Sequence, residues 1–123
     1  GRLINPKLAQ AQVHGGMSMG LGYALSEKLL YDDKGRPLND NLLDYKLPTA
    51  LDTPDLHVAF VELDDITGPY GNKALGEPPA IPVAPAVRNA MIQATGIHFN
   101  ELPLDPQTLV ERFIREGLHA SER

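Results

Sequence analysis

The sequence predicts an α+β fold: about three helices, a short strand or hairpin region, and a rigid loop rich in proline and glycine. Three observations carry that prediction. Leu8 to Ser26 contains no fixed charge, apolar residues fall on one helical face after Pro85 and again after Pro106, and five of the 11 prolines lie between Pro69 and Pro85. Residues three or four apart share a face of a helix. Clustered prolines fix φ and remove main-chain donors, which stiffens a loop and keeps it out of regular structure.

The first helix is expected over Leu8 to Leu30, apolar around its whole circumference, a pattern that belongs inside a large structure. Its glycines, Gly15, Gly16, Gly20 and Gly22, each cost about 1 kcal/mol relative to alanine, so they need a reason. Two are open: close packing of another backbone against the smooth Gly16–Gly20 strip, or a break or terminus whose free N–H groups face an anionic ligand. Asp32-Asp33-Lys34-Gly35 reads as a turn returning the chain through Pro37 and Leu38 as a short hairpin. Asp44 to Pro54 reads as an extended connection whose backbone must pair elsewhere, and Leu56 to Leu63 (LHVAFVEL) as a strand. A second helix is expected to start with Pro85 in its first position, carry Val87, Ala90, Met91 and Ala94 on one face, and stop at Gly96. A third should start at the Asp105-Pro106 cap, present Leu109, Val110, Phe113 and Ile114, and stop near Gly117.

With 123 residues, 42% of them hydrophobic, the chain can bury one modest core, so residues 1–123 are read as a single domain. The net charge of −5 and the absence of clustered Lys or Arg argue against nucleic acid or an anionic membrane as partner. Zero cysteines exclude disulfides and thiolate-held metals within the chain, and mildly favour a cytoplasmic setting. The chain opens on Gly1 with no basic-then-apolar leader, which reads as a processed or excised piece without a signal peptide. The uncharged Leu8–Ser26 stretch is long enough to span a bilayer, but four glycines with Gln10, Gln12, His14 and Ser18 mark it as a buried helix of a soluble protein.

Familiar chemical signatures are missing: no Walker loop, no complete G-x-G-x-x-G, no H-E-x-x-H and no G-x-S-x-G. The histidines at 14, 57, 98 and 119 show no ligand spacing, so no metal ligand is assigned to the protein. What remains is Gly71-Asn72-Lys73-Ala74-Leu75-Gly76-Glu77-Pro78-Pro79, where one carboxylate sits between a glycine and two prolines. Proline restricts the residue before it, so Glu77 is held rather than merely solvated. Lys73, four residues earlier, is near enough in a compact loop to tune it electrostatically. Local reasoning leaves Glu77 either a general base or a turn residue.

Those same residues carry a resemblance. Gly71-x-Lys73-x-x-Gly76-Glu77-Pro78-Pro79, Pro85-Ala86-x-x-Asn89-Ala90 and Ala94-x-Gly96 resemble the C-terminal part of the molybdopterin-binding large subunit of the xanthine dehydrogenase and aldehyde oxidase family, the molybdenum hydroxylases. Gly1-x-x-Ile4-Asn5-Pro6, Gln12-Val13-x-Gly15-Gly16, Gly20-Leu21-Gly22-x-Ala24-Leu25-x-Glu27 and Asp44-Tyr45-Lys46-x-Pro48-Thr49-Ala50 match in the same order. The resemblance runs from residue 1 to about 110 and implies that residues 1–123 form an incomplete molybdopterin-binding domain.

The resemblance implies that Glu77 is the active-site base in hydroxylation of an electron-poor carbon by a water-derived oxygen. Purines are the first expected substrate class, then aldehydes and other N-heterocycles. It further implies that Gly15, Gly16, Met19, Gly20 and Gly76 approach a molybdenum–molybdopterin cofactor, and that Lys73 orients the carboxylate. Iron–sulfur clusters and FAD are expected on other domains or subunits, and the rest of the molybdopterin-binding subunit as partner. The isolated chain is expected not to turn over. One position departs: relatives often have a glutamine contacting the metal centre where this chain has Met19, and a thioether donates no amide hydrogen bond. That departure keeps open a non-catalytic interaction module derived from the family.

Overall fold

The computed structural model describes residues 1–118; His119 lies outside the described residues. Three helices organise the chain: α1 (Pro6–Leu25), α2 (Val83–Thr95) and α3 (Pro106–Arg115). The long stretch between α1 and α2 is irregular apart from a short 3₁₀ turn, Pro69–Gly71.

Helix α1 is shorter and earlier than expected, and its ends explain why. The Asn5 side chain accepts from the Leu8 N–H at 3.1 Å, and Pro6 occupies the first helical position, where its missing N–H costs nothing. At the other end Ser26 and Glu27 both donate to the Gly22 carbonyl. Buried Asn39 then accepts from the Leu30 N–H at 2.8 Å and donates to the Lys28 carbonyl at 2.7 Å, which takes residues 28–30 out of the helical register. All four glycines lie inside one continuous helix. No break therefore frees their N–H groups, and the ligand-facing break is ruled out.

Helix α2 starts at Val83, two residues before the expected Pro85. Proline fits there because the first-turn N–H groups have no intrahelical partner to lose. It stops at Gly96 in the left-handed conformation (φ 73°). Helix α3 starts as expected: Asp105 accepts from the Thr108 N–H at 2.8 Å, and Gly117 follows the end with φ 74°.

The β part of the expectation shrinks to one antiparallel bridge, Tyr31–Pro37, closed by the turn at Asp32 and Gly35. Among the described residues no strand is present: Leu56–Leu63 has no partner strand, and a lone strand cannot form a ladder. Asp44–Pro54 is not an extended connection either. Tyr45 N–H donates to the Asn41 carbonyl, and Asp52 accepts from the Thr49 N–H and hydroxyl at 2.8 and 2.7 Å, so Asx-type turns satisfy this backbone locally.

The core is small. Ile97, Phe99 and Leu104 are buried against Leu25, Met91, Ile92, Leu109 and Phe113, and the Leu104 N–H donates to the Ala24 carbonyl at 2.7 Å, tying the end of α1 to this knot. The Arg112 guanidinium caps it, 5.9 Å above the Phe99 ring. Outside this knot, burial is confined to a few small or polar residues such as Ala24, Ala84 and Asn39. The accessible surface is 9524 Å² for 13.4 kDa, against roughly 6,500 Å² for a folded monomer of that mass.

Candidate cofactor-facing cavity

The site is built on the glycine face of α1. A Cβ placed on Gly16 would come within 2.7 Å of Pro79 Cβ, and one on Gly20 within 2.5 Å of Val83 Cβ and 3.0 Å of the Ala80 carbonyl oxygen. Only bare backbone lets the 76–83 loop and the start of α2 lie this close, so packing accounts for these two glycines. Gln12, one turn earlier, donates its amide to the Gly76 carbonyl at 3.2 Å and fixes the loop's other end. The Ala80 N–H donates to the Glu77 carbonyl at 2.9 Å, closing a turn over Pro78-Pro79.

This contact leaves an open cavity of about 1180 Å³. It brings together Glu77 with all five expected cofactor-facing residues: Gly15, Gly16, Met19, Gly20 and Gly76. Most of the wall is apolar, from Ala11, Tyr23, Ala80, Ile81 and Leu102. Met19 and Tyr23 are largely exposed, at 66% and 61%. The Glu77 side chain is exposed, and among the described residues it has neither a hydrogen-bond nor an ion-pair partner. Its backbone is held while its carboxylate is free.

Lys73 is placed differently. Its Nζ lies 3.3 Å from Asp65 Oδ2, and the loop does not bring it into an ion pair with Glu77. Asp65 also accepts from the Thr67 hydroxyl and N–H, and these bonds, with Lys73 beside them, hold its carboxyl well below the ordinary value of 3.8, at about 2.

Two cavity residues had no individual signal in the sequence. Tyr23 sits four residues after Met19 on the same helical face, and that spacing was the available clue. Arg88, half-buried, donates to the Phe99 carbonyl and to Asn100 Oδ1, bonds to a loop no local pattern predicts. Glu27, within a matched motif, also lines the cavity and accepts from the Tyr45 hydroxyl at 2.8 Å; that bond raises the Tyr45 phenol above its ordinary value.

Whether the lining fits a molybdopterin-type group can be tested on Gly15 and Gly76. Neither has a positive φ, and a Cβ on either would meet nothing within 4 Å. The chain's own packing therefore gives no reason for glycine at these two positions, and both face the cavity. Glycine there suits close approach by a flat group from outside the chain, so the residues fit.

Residues 1–54 match the model of a molybdopterin cofactor-binding domain family. The chain is 55% identical over 119 residues, 96% of its length, to a xanthine dehydrogenase molybdenum-binding subunit of Escherichia coli O157:H7. The chain belongs to the molybdenum hydroxylase family. It is also 38% identical over 114 residues, 91% of its length, to the aldehyde oxidoreductase molybdenum-binding subunit PaoC of Escherichia coli K12. Each of these two relatives is covered over 16% of its own length. Among solved structures, quinoline 2-oxidoreductase from Pseudomonas putida 86 superposes with a TM-score of 0.84 at 32% identity, over 94% of this chain and 15% of that one. The chain is thus similar to about one sixth of each of these proteins.

Proposed function

We propose that this chain forms one wall of the active site of a molybdenum-dependent hydroxylase, with Glu77 as its general base. The observation that carries the reading is a backbone-anchored, unpartnered carboxylate on the same cavity as two glycines that the chain itself does not need. A molybdenum–molybdopterin cofactor bound there supplies the oxidation, accepting the two electrons released as a C–H bond becomes C–OH. Gly15 and Gly76 admit it closely, and Met19 packs a polarisable thioether beside it. Glu77 takes the proton from the attacking water-derived oxygen. Ile81, Ala80 and Leu102 line the same cavity and give a substrate an apolar surface beside that carboxylate. Lys73 acts on the loop through Asp65, as a positioning residue.

Purines are the first substrate class, with aldehydes and other N-heterocycles next. Most of the pocket that chooses among them belongs to the remainder of the subunit, since relatives extend far beyond this segment. The same consideration supports reading residues 1–123 as part of a larger domain; in this reading the chain is inactive alone and works with that remainder and with iron–sulfur and flavin domains or subunits in the cytoplasm. Among the described residues no helix is long and apolar enough to cross a membrane.

Glu77→Gln tests the role of the base, because it keeps shape and removes the basic oxygen. In the assembled enzyme, substrate-driven cofactor reduction, followed by rapid mixing, should slow by about 10²–10⁴-fold at unchanged molybdenum content. Near wild-type reduction at full occupancy would return Glu77 to the role of a turn residue. Met19 favours a second reading, a non-catalytic interaction module, and absence of molybdenum and pterin from the protein purified with its native partners would establish it.

A further inference from the structure

Leu56–Leu63 is a strand in every respect except pairing. The sequence LHVAFVEL is rich in β-branched and aromatic residues. Over residues 56–61 its burial alternates residue by residue, with Leu56, Val58 and Phe60 partly covered and His57, Ala59 and Val61 exposed; Glu62 and Leu63 are exposed as well. A period of two is the mark of extended backbone. Yet no main-chain N–H or carbonyl of residues 56–63 takes part in a hydrogen bond among the described residues. Its far end is pinned: the Glu62 carboxylate accepts from the Leu3 N–H at 2.7 Å, and the Asp65 N–H donates to the Gly71 carbonyl at 3.0 Å. An extended, anchored segment with a full row of open donors and acceptors is a template for another strand.

We infer that Leu56–Leu63 is completed by a β-strand from the remainder of the molybdenum-binding subunit, so that this segment enters a sheet shared between the two parts. Two facts choose that occupant. Val61 is 89% and Leu63 73% exposed, so beyond His57 the outer face is also apolar, the pattern of a strand covered on both sides. A second copy pairing edge to edge would form a two-stranded ribbon, marginal in water and leaving Val61 and Leu63 uncovered. The relatives, by contrast, carry more than five times this length of chain from which to supply both a strand and a cover. The inference stands apart from the role given to Glu77, since it concerns main-chain pairing of residues 56–63 and not the carboxylate.

Hydrogen exchange on the complete molybdenum-binding subunit reads the pairing directly. Amides of residues 56–63 should exchange at least about 10³-fold more slowly than free chain, as for strands opening only with the global fold. Ala59→Pro, which removes one donor at an exposed position, should lower recovery of assembled subunit at least tenfold, whereas Ala59→Thr, which keeps the N–H and strand propensity, should not. Residues 1–123 hold no cysteine, so links formed by a Val61→Cys subunit with a short thiol cross-linker, and not by the parent subunit, start from position 61. Links to a segment outside residues 1–123 support the inference. Free-chain exchange rates, or links joining Val61→Cys of two copies, overturn it.

Discussion

Gly15 and Gly16 are adjacent on α1, yet they are glycine for different reasons. At Gly16, and at Gly20 one turn on, a side chain would collide with Pro79 and Val83 of the same chain. At Gly15, as at Gly76, a side chain would meet nothing, and the backbone angles would accept one. One face of the helix is thus bare to let the G-E-P-P loop close upon it, while the other is bare toward the cavity. The contrast separates glycines that build the site from glycines that leave room in it, a distinction that counting glycines cannot make.

Substitutions can break that contrast from either side. Gly20→Ala should have the largest effect on stability: its Cβ would sit 2.5 Å from Val83 Cβ, so α1 and α2 must separate, at a cost of about 1–3 kcal/mol read as a lower urea midpoint. Gly15→Ala should do the opposite. Open space at this position lets alanine stabilise α1 by about 0.5–1 kcal/mol, while a cofactor lying against the helix would be displaced, lowering molybdenum content in the assembled enzyme. A midpoint that falls for both variants would mean that Gly15 too is held by packing.

The smallest effect separates the two acids of the loop region, paired Asp65 and unpaired Glu77. A carboxyl depressed in the folded state stabilises it above the ordinary value and loses that contribution as pH falls toward the folded value. For Asp65 the window runs from 3.8 down to about 2. An NMR titration should place its midpoint near 2, and Lys73→Met should move it upward. A midpoint at 3.8 would show that the Thr67 and Lys73 contacts are not maintained in solution.

Much of this was legible from local chemistry. Asp105-Pro106 announced α3 because cap and first turn are satisfied within a few residues, and Gly96 announced the end of α2 because a left-handed stop favours glycine. Glu77 stood out because its neighbours restrict its backbone. At Asp44–Pro54 the overlooked partners were local turns, but the other errors arose where the deciding partner lay outside the stretch being read. Asn39 ended the helical register eleven residues back, and Lys73 turned to Asp65 rather than to the acid four residues away. Leu56–Leu63 had the composition of a strand but no neighbour to bond.

The sequence by itself determined the helix signals, the clamped acid and the family, since caps, proline restrictions and motif order are properties of short stretches of chain. Only the tertiary structure decided which glycines are spent on packing, that Met19, Gly15, Gly76 and Glu77 share one cavity, and that Arg88 and Tyr23 join them. The physical reason is that a contact between residues 64 positions apart, such as Gln12 with Gly76, depends on how α1 and the loop approach each other, and no local periodicity encodes that approach.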